Sequence, residues 1–245
     1  MRDWTGKRYW IVGASEGLGR ALAKRISGAG AHVILSARTR DRLDDLAAEL
    51  RGPSEIRPVD VADRAAVEEV ARGLGEIDGM VFLAGLYWPM AATDWDAAQA
   101  EQMADVNFTG ALRTVGAVLP GMLRRGSGHI ALTGSIAGYR GLPGAIGYGA
   151  SKAAVMSLAE SLHYDLRRTP VEVQLVNPGF VRTRLTDKND FAMPGIMDAE
   201  EAAQLYFEHL NAGGFQRSFP LAMATALRAT RLLPEALYHR IFRGR

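Results

Sequence analysis

A three-layer α/β fold, a doubly wound parallel sheet with helices on both faces, is what this sequence predicts. Three observations carry that prediction. Short apolar runs alternate with longer amphipathic stretches along most of the chain, the rhythm of strand–helix–strand units. The first apolar run feeds straight into a glycine-rich turn and then an Ala/Leu-rich stretch. The 245 residues are 48% hydrophobic and 23% charged, which suits one sizeable core, and α/β folds of this length often form a single domain.

In chain order, strands are expected at residues 9–12, 32–36, 55–59, 79–83, 129–133, 171–176 and 216–219, seven in all. Helices are expected between them at 17–29, 41–51, 64–74, 97–125 and 148–168. The fourth is open to a break at Pro120, which has no N–H for the helical ladder. Asp63 stands where an N-cap for the third helix belongs. Nothing resembles a linker, a repeat or a low-complexity tract, so one domain over 1–245 is expected. Its ligands belong beyond the carboxyl ends of the strands.

Composition narrows the function classes. Cysteine is absent, which excludes disulfides and thiolate metal sites, and no metal site is expected. A formal charge of +2 is too small to argue for nucleic acid. The amino-terminal Met1-Arg2-Asp3-Trp4 lacks the layout of a signal peptide, and no apolar run reaches the roughly 18 residues of a spanning helix. A cytoplasmic location is the default expectation.

The glycine turn reads Gly13-Ala14-Ser15-Glu16-Gly17-Leu18-Gly19. Glycines there allow a tight turn and let a pyrophosphate approach the N–H groups at a helix N-terminus. A tight connection with no ligand is the alternative, and the position between a strand and a helix argues against it. The second strand ends at Ser36-Ala37-Arg38. A carboxylate there would accept hydrogen bonds from a ribose 2′-hydroxyl; Ala37 has none, and Arg38 offers a fork suited to phosphate. NADP(H) is therefore expected over NAD(H), which stays possible; a solvated surface arginine is the alternative for Arg38. Glu16 would oppose a phosphate at the adenosine end. Asp60 and Val61, after the third strand, could meet an adenine edge, or Asp60 could be an ordinary turn residue.

Tyr148 and Lys152, at i and i+4, share one face of the last predicted helix. The ammonium can favour the phenolate and lower a pKa that starts near ~10, giving a proton donor and acceptor without histidine. Ser135 precedes the pair at the end of a strand, and Asn107 lies within the fourth helix.

Together with Asn177-Pro178-Gly179 and Val181-Arg182-Thr183, these residues resemble the short-chain dehydrogenase/reductase family in its single-domain, Rossmann-like form. The resemblance runs from about Lys7 to Thr183. It implies an oxidoreductase acting on a carbonyl or alcohol, with Tyr148 as general acid/base. Lys152 is implied to lower the Tyr148 pKa and bond the nicotinamide ribose. Ser135 is implied to hold the substrate oxygen, and Asn107 to anchor a water linking Lys152 to solvent. The backbone at Pro178-Gly179 and Val181, with the Thr183 hydroxyl, is implied to meet the nicotinamide. A homodimer or homotetramer is implied too, joined through helices 97–125 and 148–168. Two positions depart from the family's pattern. Val12 stands where threonine is common, and Phe82-Leu83-Ala84-Gly85 where many members have Asn-Asn-Ala-Gly. Ala84 and Gly85 still let the backbone approach a cofactor. A regulatory protein that binds the nucleotide without turnover is the rival reading, and sugar-nucleotide chemistry on a related scaffold is a third.

Three post-strand loops supply an expected pocket wall rich in aromatic and flexible apolar residues: Tyr87, Trp88 and Met90; Tyr139, Leu142 and Ile146; Phe180, Leu185, Phe191, Met193 and Met197. A lipophilic small-molecule ketone, aldehyde or secondary alcohol fits that wall. Residues 180–198 are long enough for a substrate lid. From 221 to 245 the chain carries five arginines and one acid, Glu235, and Leu237, Tyr238, Ile241 and Phe242 form one helical stripe. That tail could pack on the domain or a second subunit, contact a membrane surface, or remain disordered.

Overall fold

The structure is a computed structural model that describes residues 1–241. Its strands are β1 (Arg8–Val12), β2 (His32–Ser36), β3 (Ser54–Ile56), β4 (Gly79–Phe82), β5 (Gly128–Thr133), β6 (Val171–Pro178) and β7 (Gln216–Phe219). They form one sheet in the order β3-β2-β1-β4-β5-β6-β7, with every pairing parallel. Both faces are covered, which is why the central strands carry apolar runs rather than a strict alternation. Side chains nevertheless divide by parity. Trp10, Ile34, Met80, Phe82, Ile130 and Leu132 join the core on one face, and Tyr9, Ile11, Val33, Leu35, Val81 and Ala131 the core on the other.

The first face packs against α3 (Arg64–Gly73), α5 (Gly110–Arg125) and α6 (Ile146–Leu166). The second packs against α1 (Gly17–Gly28), α2 (Arg40–Glu49) and α7 (Ala199–Ala212). Asp63 caps α3 as its sequence suggests, accepting the Ala66 N–H at 3.0 Å. Trp10, fully buried, keeps its indole N–H satisfied by Ser36 Oγ at 2.8 Å.

Three elements depart from the sequence reading. The third strand is shorter than 55–59 because Pro58 cannot donate to the ladder; the chain still follows β2, with Arg57 N–H bonding Leu35 O at 2.9 Å and Val59 N–H bonding Ala37 O at 3.0 Å. The 97–125 helix does not break at Pro120, which sits inside an uninterrupted α5. Its irregularity comes earlier: α4 (Ala97–Ala104) passes through a π-helical turn at Asp105–Thr109 before α5 begins. The third departure is α7, absent from the sequence reading although Ala202, Ala203, Tyr206 and Leu210 all turn inward.

Beyond β7 the chain forms α8 (Leu221–Ala229) and α9 (Glu235–Ile241). Of the predicted stripe, Tyr238 is buried while Leu237 and Ile241 are exposed; Phe242, Arg243 and Arg245 lie outside the described residues. The Tyr238 hydroxyl donates to Gly141 O at 2.5 Å, and the Arg140 guanidinium lies 3.7 Å over its ring. Residues 221–241 are thus pinned, in part, on the loop that follows Ser135. Among the described residues, no helix is long and apolar enough to cross a membrane.

A buried polar chain crosses the amino-terminal end of the sheet. Gln174 Nε2 donates to the carbonyls of His209 and Gly214, both at 3.0 Å, so its Oε1 must be the acceptor facing His129 Nε2 at 2.8 Å. That fixes the proton on Nε2 and leaves Nδ1 to accept from the Tyr9 hydroxyl at 3.0 Å. Tyr9 reaches His129 across Gly79, where a Cβ would come within 2.3 Å of the tyrosine ring. Burial drives the His129 pKa down to about 3 and that of Tyr9 up to about 12.

Candidate active site

The strand order reverses at β1, whose neighbours are β2 and β4. The crevice beyond such a switch point is where open α/β sheets bind ligands. A cleft of about 390 Å³ opens there, lined by the segments that follow each strand from β1 to β6. Gly13, Ser15, Glu16, Gly17, Leu18 and Gly19 line it, as do Arg38, Asp60, Val61, Ala84, Gly85, Tyr148, Lys152, Pro178, Gly179, Val181 and Thr183.

The glycines are required by close approaches. A Cβ on Gly13, whose φ is +96°, would fall 2.4 Å from Ala84 N; one on Gly17, at φ +49°, would fall 2.6 Å from Thr183 Cγ2. The glycine loop is therefore wedged between the strap after β4 and the segment after β6, which Phe82-Leu83 permits without the amides of the common pattern.

Glu16 is not an isolated carboxylate. It pairs with Arg42 on α2 and with Arg184 after β6, the second at 2.5 Å. Two guanidinium groups thus meet one acid, and exposed Arg38 lines the same cleft. Sequence reading missed Arg42 and Arg184, because only the fold brings residues so distant in the chain to Glu16. Asp60 Oδ1 accepts the Ala62 N–H at 3.0 Å, the bond of an ordinary Asx turn.

On the opposite side, Ser135 follows β5 and caps a short 3₁₀ turn, accepting the Ala137 N–H at 3.2 Å. Its neighbour Tyr148 lies in the first turn of α6. Lys152 is buried; its Nζ donates to Thr133 O at 2.9 Å and lies 5.8 Å from the centre of the Tyr148 ring. The charge logic differs from the sequence expectation. Burial raises the Tyr148 pKa, and the opposing pull comes from a hydrogen bond with Ser135. Burial also depresses Lys152, to about 8. Desolvation is the largest influence on each group.

Asn107 sits in the π-turn with no exposed surface. Its Oδ1 accepts the Leu86 N–H at 2.6 Å, while Nδ2 donates to Leu86 O and to Ser151 Oγ, both at 2.9 Å. Ser151 Oγ in turn donates to Tyr148 O at 2.8 Å. Both amide hydrogens are committed, so this side chain clamps the strap after β4 to α6. Ser151, another residue missed from sequence, lies inside the Tyr148–Lys152 segment where only that pair drew attention.

The model of the short chain dehydrogenase family matches residues 7–193. The chain belongs to the short-chain dehydrogenase family. An uncharacterized oxidoreductase of Myxococcus xanthus is 37% identical over 245 residues, covering 97% of each chain. An uncharacterized oxidoreductase of Staphylococcus epidermidis is 34% identical over 197 residues, 79% of this chain and 86% of its own. The solved structure of a short-chain dehydrogenase from Sphingobium yanoikuyae in complex with NADPH is 28% identical, with a TM-score of 0.84, covering 98% of this chain and 96% of that one. This dehydrogenase is accordingly an NAD(P)-dependent oxidoreductase with a Rossmann-like fold, acting on a small molecule.

Proposed function

We propose that this dehydrogenase uses NADP(H) to interconvert a carbonyl and a secondary alcohol on a lipophilic small molecule, with Tyr148 as proton donor and acceptor. The observation that carries the reading is that Tyr148 and Lys152 line the same cleft as the glycine loop, with Ser135 hydrogen-bonded to Tyr148.

The residues present fit a dinucleotide. Gly13 and Gly17 leave no room for side chains, so at these positions backbone forms the cradle for a pyrophosphate. Arg38 and Arg42 offer guanidinium groups to a 2′-phosphate, and Arg42 and Arg184 together neutralise the acid that would oppose it. Lys152 would meet the nicotinamide ribose; Val181 and Thr183 would meet the carboxamide. Bound there, the nicotinamide supplies or takes up the hydride at the carbonyl carbon.

The protein's own part is proton transfer and orientation. Ser135 holds the carbonyl oxygen and stabilises the charge that grows on it. The Tyr148 hydroxyl, kept protonated by burial, gives its proton to that oxygen in reduction; in oxidation the phenolate takes the proton from the alcohol. Protonated Lys152 lowers the cost of the phenolate that forms. Asn107 and Ser151 keep Tyr148 and the Leu86 strap in register.

The 180–198 segment acts as the lid over the substrate end, lined by Phe180, Phe191 and Met193. A homodimer or homotetramer forms through α4–α5 and α6, a reading supported by exposed Leu112, Leu123 and Tyr164 on these helices. The test is NADPH oxidation, followed by absorbance, against acyl, steroid, aromatic and short aliphatic carbonyls. Turnover of lipophilic members, faster with NADPH than NADH, is expected. NADPH binding with no member reduced would overturn the reading in favour of a nucleotide sensor.

A further inference from the structure

Tyr87 touches both the reacting corner and the loop above it. Its backbone is fixed on either side. Asn107 holds the Leu86 N–H and carbonyl, and the Trp88 N–H points at Met103 Sδ, 3.4 Å away. So held, the half-buried Tyr87 ring meets Tyr148 edge to face, with centroids 5.1 Å apart and planes at 74°. Its hydroxyl donates to Asn189 Oδ1 at 2.7 Å, and its carbonyl accepts Lys188 Nζ at 2.8 Å. The same ammonium lies 4.6 Å over the Trp88 ring. Lys188 and Asn189 belong to a loop whose ends are joined by the Val181–Met197 bridge, so these contacts fasten its middle as the bridge fastens its base. Burial raises the Tyr87 pKa.

We infer that Tyr87 is a positioning and specificity residue: its hydroxyl and carbonyl fasten the 182–196 loop over Tyr148, and its ring is the wall against which the group attached to the reacting carbonyl lies. A flat aromatic group gains an aromatic contact there that an alkyl chain does not. The second half of the inference rests on the role proposed for Tyr148; the fastening does not.

Two substitutions remove this hydrogen bond from opposite sides, Tyr87→Phe and Asn189→Ala, the second together with the Asn189 Nδ2–Met193 Sδ contact at 3.1 Å. Trp88 emission, taken as the difference from the Trp88→Phe protein, reports the departure of Lys188 and needs neither cofactor nor turnover. Both variants are expected to shift that emission to the red. The KM for an aryl ketone rises about fivefold in each, the size of one ordinary hydrogen bond. The pH profile of kcat stays in place, and the double variant is no worse than either single one. Tyr87→Leu, which removes the ring, lowers the ratio of kcat/KM for aryl over alkyl ketones about fivefold. Unmoved Trp88 emission in Tyr87→Phe, additive effects in the double variant, or an unchanged ratio in Tyr87→Leu would overturn the inference. A red shift in a protein that turns over no carbonyl supports the fastening and contradicts the proposed reaction instead.

Discussion

Arg42→Ala separates the two cofactors if the rim around Glu16 reads the 2′-phosphate. A charge-assisted hydrogen bond to a phosphate contributes about 1.5–3 kcal/mol when shielded. The Arg42 side chain is 44% exposed, so solvent screening places its contribution at the lower end, about 1.5 kcal/mol. The substitution also leaves the Glu16 carboxylate with Arg184 alone, itself 67% exposed, and a less neutralised acid then faces the phosphate. That adds up to roughly 1 kcal/mol in the same direction. Together these predict a fall in kcat/KM for NADPH of about ten- to seventyfold, whereas NADH, lacking the phosphate, changes by no more than about twofold. Glu16→Gln should act oppositely and weakly, raising the NADPH preference about threefold. The assay is initial rates with each cofactor at a fixed carbonyl concentration. Equal losses with both cofactors would show that Arg42 supports the cleft without reading the phosphate, and the charge argument would be wrong.

Two further predictions concern titration. The His129 pKa, about 3 in the folded chain against an ordinary 6.5, means the unfolded chain binds more protons between those values. Stability from this group is therefore complete above about pH 6.5 and lost as pH falls towards 3, at about 1.4 kcal/mol per unit and roughly 5 kcal/mol in total. His129→Phe should lower the urea midpoint at pH 7, because Tyr9 and Gln174 lose a partner at about 1–3 kcal/mol, yet flatten the decline between pH 7 and pH 4.5; parallel pH curves for variant and wild type would refute this. Lys152, depressed to about 8, loses its charge above that pH and with it the support for the Tyr148 phenolate. The kcat/KM for reduction should fall on the alkaline side with a midpoint near 8, and Lys152→Arg should displace that limb upward; an unmoved limb would assign it to another group.

The sheet was legible because central strands covered on both faces carry continuous apolar runs, as in Val33-Ile34-Leu35 and Ile130-Ala131-Leu132. The glycine loop was legible because Gly13 is crowded by the Ala84 backbone and Gly17, at positive φ, by the Thr183 side chain, whatever the ligand. What escaped sequence reading depends on side chains meeting from distant positions. The π-turn at Asn107 is held by Leu86 and Ser151, so helical periodicity gave no sign of it, and suspicion fell on Pro120 instead. Glu16 read alone suggested repulsion of a phosphate; the fold brings Arg42 and Arg184 to it and reverses the local charge. The Tyr148–Lys152 spacing was read as a coupling that lowers the tyrosine pKa, but spacing does not report the desolvation of each group, which dominates. The α7 helix is a plainer omission, since its inward positions follow a helical pattern that the sequence displays.

The central claim is that the Tyr148 hydroxyl carries the proton, and Tyr148→Phe tests it with the loss of one oxygen atom. Positioned general acids contribute about 10²- to 10⁴-fold, so turnover of a competent carbonyl should fall within or beyond that range while the affinity for NADPH, measured by calorimetry, stays within about twofold. Turnover near the wild-type rate with NADPH binding intact would contradict the claim and move the proton to another group.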